Sequence, residues 1–124
     1  MEWKNTIEEI LRDEGCASFA TSDPDGKAHM AATWNSYIAM EGDTLVIPAG
    51  SLHRTEENVK NGSMVSLIIG SKRVQGLHGP GAGLLLTGHA EFQVDTPAFH
   101  EMSSRFPWAR AVMVLRIDEV RQLV

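Results

Sequence analysis

"GLHGPGAGLLLTGHAEFQV", Gly76 to Val94, is where the fold is decided. Its first eight residues hold four glycines, a density that invites comparison with a phosphate-cradling loop. The nucleotide loops of that kind lead from a strand into a helix, and one of them closes on Gly-Lys-Ser/Thr. Here the glycines run straight into "LLLTGHAEFQV", an apolar strand in which Gly88 marks a bulge or bend. Neither nucleotide motif fits. Two readings remain for the glycines: close approach of the backbone to a ligand or another subunit, or a flexible hairpin connection.

Working outward, "MVSLIIG" (64–70) is a Val- and Ile-rich strand, and "SKRVQGLHGPGAG" (71–83) reads as a glycine-rich loop. Downstream, Thr96-Pro97 opens a helix to about Arg105, with the proline at the first helical position. "ARAVMVLRI" (109–117) is a further strand, and the tail "DEVRQLV" is ambiguous. Upstream, "CASFAT" (16–21) and "TLVIP" (44–48) are β-prone, and "SDPDG" (22–26) and "EGD" (41–43) are turns. "HMAATWNSYIAM" (29–40) fits one strand with an irregularity near Asn35. A capping box at Thr6 and Glu9 predicts a first helix over about Thr6 to Glu14, stopped by Gly15. A second helix runs from Ser51 as N-cap to Asn61-Gly62. Three helices among so many short strands do not make a doubly wound sheet. The expected fold is mainly β, a small antiparallel barrel with three peripheral helices.

The totals narrow the function. The chain has 124 residues, one domain by length, and 43% of them are hydrophobic. Eleven basic residues against sixteen acidic ones give a net charge of −5, which argues against nucleic acid as a partner. Cys16 is the single cysteine, so no intrachain disulfide can form; in its apolar run it is expected to be a small core residue. No apolar signal core opens the chain and no apolar run reaches the ~20 residues of a membrane span. A soluble, cytoplasmic protein is expected.

Three stretches carry candidate chemistry. In "PAGSLHRTEENVKNG" (48–62), Ser51, His53, Arg54 and Thr55 crowd a helix start, where free N–H groups and partial positive charge suit a phosphate. The plainer alternative is that Ser51 caps and Arg54 is solvated. "ATWNSY" (32–37) and "FPWAR" (106–110) each set a tryptophan beside polar groups, and Trp34 and Trp108 suit a flat ring or ordinary packing. The five histidines form no metal motif, and no acid pair or activated nucleophile stands out.

Taken in order, "TWNSY", "PAGSLHRTEENV", "GSKRVQG", "GPGAGLLLTGHAEF" and "FPWAR" resemble the FMN-binding split-barrel flavoproteins. This is the group named after pyridoxamine 5′-phosphate oxidase, and the likeness is greatest to its small single-domain FMN-binding members of anaerobic bacteria. The resemblance implies a six-stranded antiparallel Greek-key split barrel, a homodimer, and one FMN per subunit held near the interface by both chains. It places the phosphate at His53, Arg54 and Thr55 with Ser51 nearby, and the ring along Thr33, Trp34, Asn35 and Ser36. Pro48, Ala49 and Gly50 match the segment beside the ribityl chain. Ser71 and Lys72 fall where further cofactor contacts are common, and Trp108 matches a position close to the flavin. Arg54 stands where the small relatives tend to carry Lys, and Arg can grip a phosphate with two parallel bonds. The Arg- and His-bearing C-terminal segment of the true oxidase has no counterpart here, so oxidase activity is not expected. An electron carrier serving a redox partner protein is the expected function. The alternative is an FMN-dependent oxidoreductase or flavin reductase acting on a small molecule.

Overall fold

The computed structural model describes residues 2–124. Its centre is one long antiparallel hairpin, β5 (Val65–Gly76) and β6 (Gly79–Gln93). Only Leu77 and His78 separate the two strands, so the loop expected over residues 71–83 is mostly sheet. The reason is steric. A Cβ on Gly76 would lie 2.0 Å from the Gly81 carbonyl oxygen, and Gly79 and Gly81 hold φ of 124° and 117°. Gly76 lets the two backbones close tightly where a side chain would not fit, and Gly79 and Gly81 supply the positive φ of the turn; the glycines do not loosen the chain. A register shift between Ser71 and Gln75 marks a bulge in β5.

The remaining strands are β1 (Cys16–Ser22), β2 (Ala28–Trp34), β3 (Ala39–Glu41), β4 (Thr44–Ala49) and β7 (Ala111–Gln122). All pairings are antiparallel, in the order β2-β1-β5-β6-β7-β4-β3. This is the mainly β split barrel that was expected, with seven strands rather than six. The extra strand comes from "HMAATWNSYIAM". A single turn of 3-10 helix at Asn35–Tyr37 cuts that run into β2 and β3, which lie at opposite edges of the sheet. The ambiguous tail belongs to β7, whose Gln122 pairs with Leu84. Gly88 sits at the β6–β7 register shift, where a Cβ would approach the Arg116 oxygen to 1.8 Å.

Helix α1 (Lys4–Leu11) buries Ile7 and Ile10 against the sheet core of Phe19, Leu45, Ile47, Leu67, Ile69, Leu84, Leu86, Met113 and Leu115. It starts and ends earlier than the capping box suggests, because Thr6 lies inside the helix and Trp3 takes the cap position with no side-chain bond. Gly15 does not stop this helix. It makes room for the Asn35 amide, which would come within 3.2 Å of a Cβ there. Helix α3 (Pro97–Arg105) follows its sequence signals: the Thr96 hydroxyl accepts the Phe99 N–H, and Met102 packs with Val46 and Val112 in a second cluster. Helix α2 (His53–Lys60) links β4 to β5 and ends before Asn61-Gly62. No helix among the described residues is long and apolar enough to cross a membrane.

Candidate functional site

One cavity of about 340 Å³ opens where β1, β2, the end of β4 and the α3–β7 connection meet. Of the residues singled out from the sequence, Thr33, Trp34, Pro48, Gly50, Ser51 and Trp108 line it. Cys16, Ala32, Tyr37 and Leu52 complete the wall. The volume falls within the range of small-molecule sites. The two indoles are 47% and 49% exposed, far more than packing aromatics show, so each offers an open face to the cavity.

Each wall has a local cause. Trp108 packs in an aromatic group: Tyr37 at 5.8 Å and Phe106 at 5.3 Å between ring centroids, with Tyr37 and Phe106 4.7 Å apart. Gly50 allows the indole to lie on the backbone, since a Cβ there would meet Trp108 Cε3 at 2.8 Å. Trp34 ends β2 directly opposite Cys16 of β1. Cys16 is exposed on this wall, contrary to the core position expected for it. Sequence alternation could have found this: in β1 the buried residues are Ala17, Phe19 and Thr21, which puts Cys16 on the other face.

Asn35 is wholly buried, and its amide points inward, away from the cavity. Its Nδ2 group donates to the carbonyls of Ile10 at 3.4 Å, Asp13 at 3.1 Å and Gly70 at 3.0 Å. Its backbone N–H donates to Gly15 O at 2.8 Å. Thus Asn35 ties the end of α1, β5 and the 3-10 turn together, and that turn sets Trp34 and Tyr37 in the wall. Ser36 faces outward, its hydroxyl bound to the Glu14 carboxylate at 2.9 Å and its carbonyl accepting from Arg105.

At the other end, Leu52 adopts a left-handed conformation, φ 63° and ψ 31°, at a cost of roughly 1–2 kcal/mol. The twist sends its side chain onto the core and starts α2 beside the cavity. Leu52 and not Ser51 therefore occupies the cap position, and no side chain caps the helix. The first amides of α2 lack helical partners and carry partial positive charge. Arg54 projects into solvent from this first turn, loosely paired with Glu57 at 3.8 Å. Thr55 is fully buried, and its hydroxyl has no hydrogen-bond partner. His53 lies in a separate groove along α2 with Glu56, Glu57 and Lys60. Ala49 is buried within β4.

Ser71 and Lys72 line a different, shallow cavity of about 650 Å³ over β5 and β6, with Ile68, Gly81, Gly83 and Val124. The Ser71 hydroxyl donates to the Asp13 carboxylate, and Arg73 Nε binds it at 3.1 Å. The Ser71 hydrogen bond first, and Arg73 after it, hold the Asp13 carboxyl below its ordinary pKa. Among the described residues no cluster of His, Cys, Asp or Glu could hold a metal ion.

Residues 4–124 match the family model described as pyridoxamine 5′-phosphate oxidase. Over 118 residues the chain is 42% identical to an FMN-binding protein of Nitratidesulfovibrio vulgaris (strain DSM 19637 / Miyazaki F), covering 94% of this chain and 95% of that one. Among solved structures, HupZ of Group A Streptococcus superposes with a TM-score of 0.78 at 13% identity, covering 96% of this chain and 92% of that one. An FMN-binding protein from Syntrophomonas wolfei gives 0.68 at 15%, covering 99% and 92%. The two structural likenesses concern the fold.

Proposed function

The chain belongs to the pyridoxamine 5′-phosphate oxidase family, and from that premise we propose that it is an FMN-binding redox flavoprotein acting as an electron carrier. The observation that carries this reading is the cavity itself: two half-exposed indoles facing a space beside the uncapped start of α2. The residues fit the group. Gly50 leaves Trp108 flush with the backbone, so a flat ring can lie against the indole. Thr33 and the Trp34 backbone would border its polar edge. The helix start, with Ser51, Arg54 and the unpartnered Thr55 hydroxyl, would provide donors at the phosphate end. FMN bound there would supply reversible one- and two-electron chemistry, while the protein binds and orients it and tunes its potential.

The same reading includes a homodimer. The shallow cavity over β5 and β6 leaves Ile68 and Val124 about half exposed, an apolar face suited to a second copy, and Ser71 and Lys72 lie on it. A redox partner protein would meet the open edge of the flavin site. An exposed thiol at Cys16 with no possible intrachain partner is in keeping with a reducing, cytoplasmic setting.

Purified protein is expected to be yellow with flavin absorption maxima, and to sediment at about twice 13.6 kDa. Under nitrogen, NADH or NADPH alone should bleach it slowly and dithionite at once. Rapid bleaching by a nicotinamide would favour a flavin reductase over a carrier, and a colourless protein that takes up no flavin would end the cofactor reading.

A further inference from the structure

The motif "FPWAR" ends in a residue that the cofactor reading leaves without a role. Arg110 lies just before β7, and its backbone N–H donates to Ala49 O at 2.9 Å. Its side chain is less than a third exposed and does two things at once. One guanidinium nitrogen, Nη2, donates to the Ser51 carbonyl at 2.7 Å; the other, Nη1, pairs with Glu56 of α2 at 2.9 Å. The Nε group is buried and unpartnered, so the guanidinium is enclosed rather than lying on the surface. Glu56 is in turn held by Lys60 at 3.2 Å. Burial alone would raise the Glu56 pKa, but the hydrogen bonds from Lys60 and Arg110 outweigh it and hold the group ionised.

The placement matters. The Ser51 carbonyl precedes Leu52, the residue in the left-handed conformation, and Glu56 donates its own N–H to Leu52 O at 2.9 Å, closing the first turn of α2. Arg110 therefore grips the turn on both sides of Leu52. Two residues earlier in the same segment, Trp108 lies on Gly50. One short stretch of chain thus carries the aromatic wall and clasps the helix start.

We infer that Arg110 is a positioning residue for the phosphate end of the site: with Glu56 it clamps the Gly50–Leu52 turn, so that the first amides of α2 stand ready for an anion. The inference rests on the FMN reading and assigns Arg110 no contact with the cofactor. It differs in sign from a simple charge effect. Glu56 carries negative charge near the proposed phosphate, so through-space electrostatics alone would make Glu56→Gln bind FMN more tightly. The clamp requires the opposite, because the neutral amide loosens the Arg110 bridge.

The test is titration of the wild type, Arg110→Ala, Arg110→Lys and Glu56→Gln with FMN and with riboflavin, which lacks the phosphate. In Arg110→Ala the FMN dissociation constant should rise about tenfold and that of riboflavin less than about twofold. Arg110→Lys, which cannot span both partners, should lie between it and the wild type. Glu56→Gln should weaken FMN about threefold. Exchange of the Glu56 amide in ligand-free Arg110→Lys should run faster than in the wild type, a readout needing no flavin. Equal losses for both flavins, tighter FMN in Glu56→Gln, or unchanged Glu56 exchange would overturn the clamp. A wild type that binds FMN no better than riboflavin would instead remove the phosphate assignment on which the clamp depends.

Discussion

Arg54→Ala is expected to weaken FMN binding about ten- to a hundredfold while changing riboflavin binding less than about twofold. A charge-assisted hydrogen bond contributes roughly 1.5–3 kcal/mol, which sets that range. In the ligand-free chain Arg54 is 59% exposed and only loosely paired with Glu57, so it can swing onto an anion at the start of α2 without breaking a strong contact. Riboflavin presents the same ring and ribityl chain but no phosphate, so the difference between the two ligands isolates the contact. The effect should shrink as salt is added, since the side chain stands in solvent. Fluorescence titration of the variant with both flavins measures it; parallel losses would place the phosphate elsewhere.

Asn35→Ala is expected to lower the unfolding free energy by about 2–4 kcal/mol and to abolish the ordered cavity wall. Two amide hydrogens serve three backbone carbonyls, those of Ile10, Asp13 and Gly70, from a side chain that is itself wholly buried. Removing the amide takes a donor from the Asp13 and Gly70 carbonyls, while Ile10 O keeps the Asp13 N–H, and opens a space beside Gly15. Because the same residue forms the 3-10 turn, Trp34 and Tyr37 should lose their fixed positions together. Urea unfolding gives the first effect and near-ultraviolet circular dichroism the second. A loss below about 1 kcal/mol with an unchanged aromatic signal would mean that the turn holds without the amide.

These two residues also divide what the sequence makes legible from what it hides. Local signals read well. The Thr96-Pro97 helix start and the Asn61-Gly62 stop have causes within a few residues, and each lies where its signal puts it. Gly88 also lies at its bulge, although the close approach that requires a glycine there comes from Arg116 of β7. The helix at residues 53–60 was legible too, but its cap was not. Nothing local announces that Leu52 will turn left-handed, because that follows from core packing and from Arg110, 58 positions downstream of it in the chain. Asn35 is visible as an irregularity, yet the three acceptors of its amide lie 22 to 35 residues away, out of reach of any local signal. The glycines of residues 76–83 misled in the opposite direction. Their composition suggests a loop, whereas they form a paired hairpin in which Gly76 comes too close to the Gly81 backbone for a Cβ and Gly79 and Gly81 take positive φ. Hydrophobicity alone puts Cys16 in the core, whereas the strand's own period puts it on the cavity face.

The site was legible in part for the same reason. Thr33, Trp34, Pro48, Gly50, Ser51 and Trp108 come from three separate stretches and meet at one cavity. Ser71 and Lys72 lie on the other face, over β5 and β6, where in one subunit they are remote from that cavity's walls. In the proposed dimer they would reach a flavin only across the interface, which ties their role to the oligomeric state.

The central claim is that the aromatic cavity and the start of α2 together hold FMN by its ring and its phosphate. Its most direct measurement is fluorescence titration of the wild-type protein with FMN and with riboflavin under one buffer. The account predicts that flavin emission is quenched by Trp34 and Trp108 as either ligand binds, and that FMN binds at least about tenfold more tightly than riboflavin. Equal affinities, or flavin emission that stays unquenched as protein is added, would contradict it.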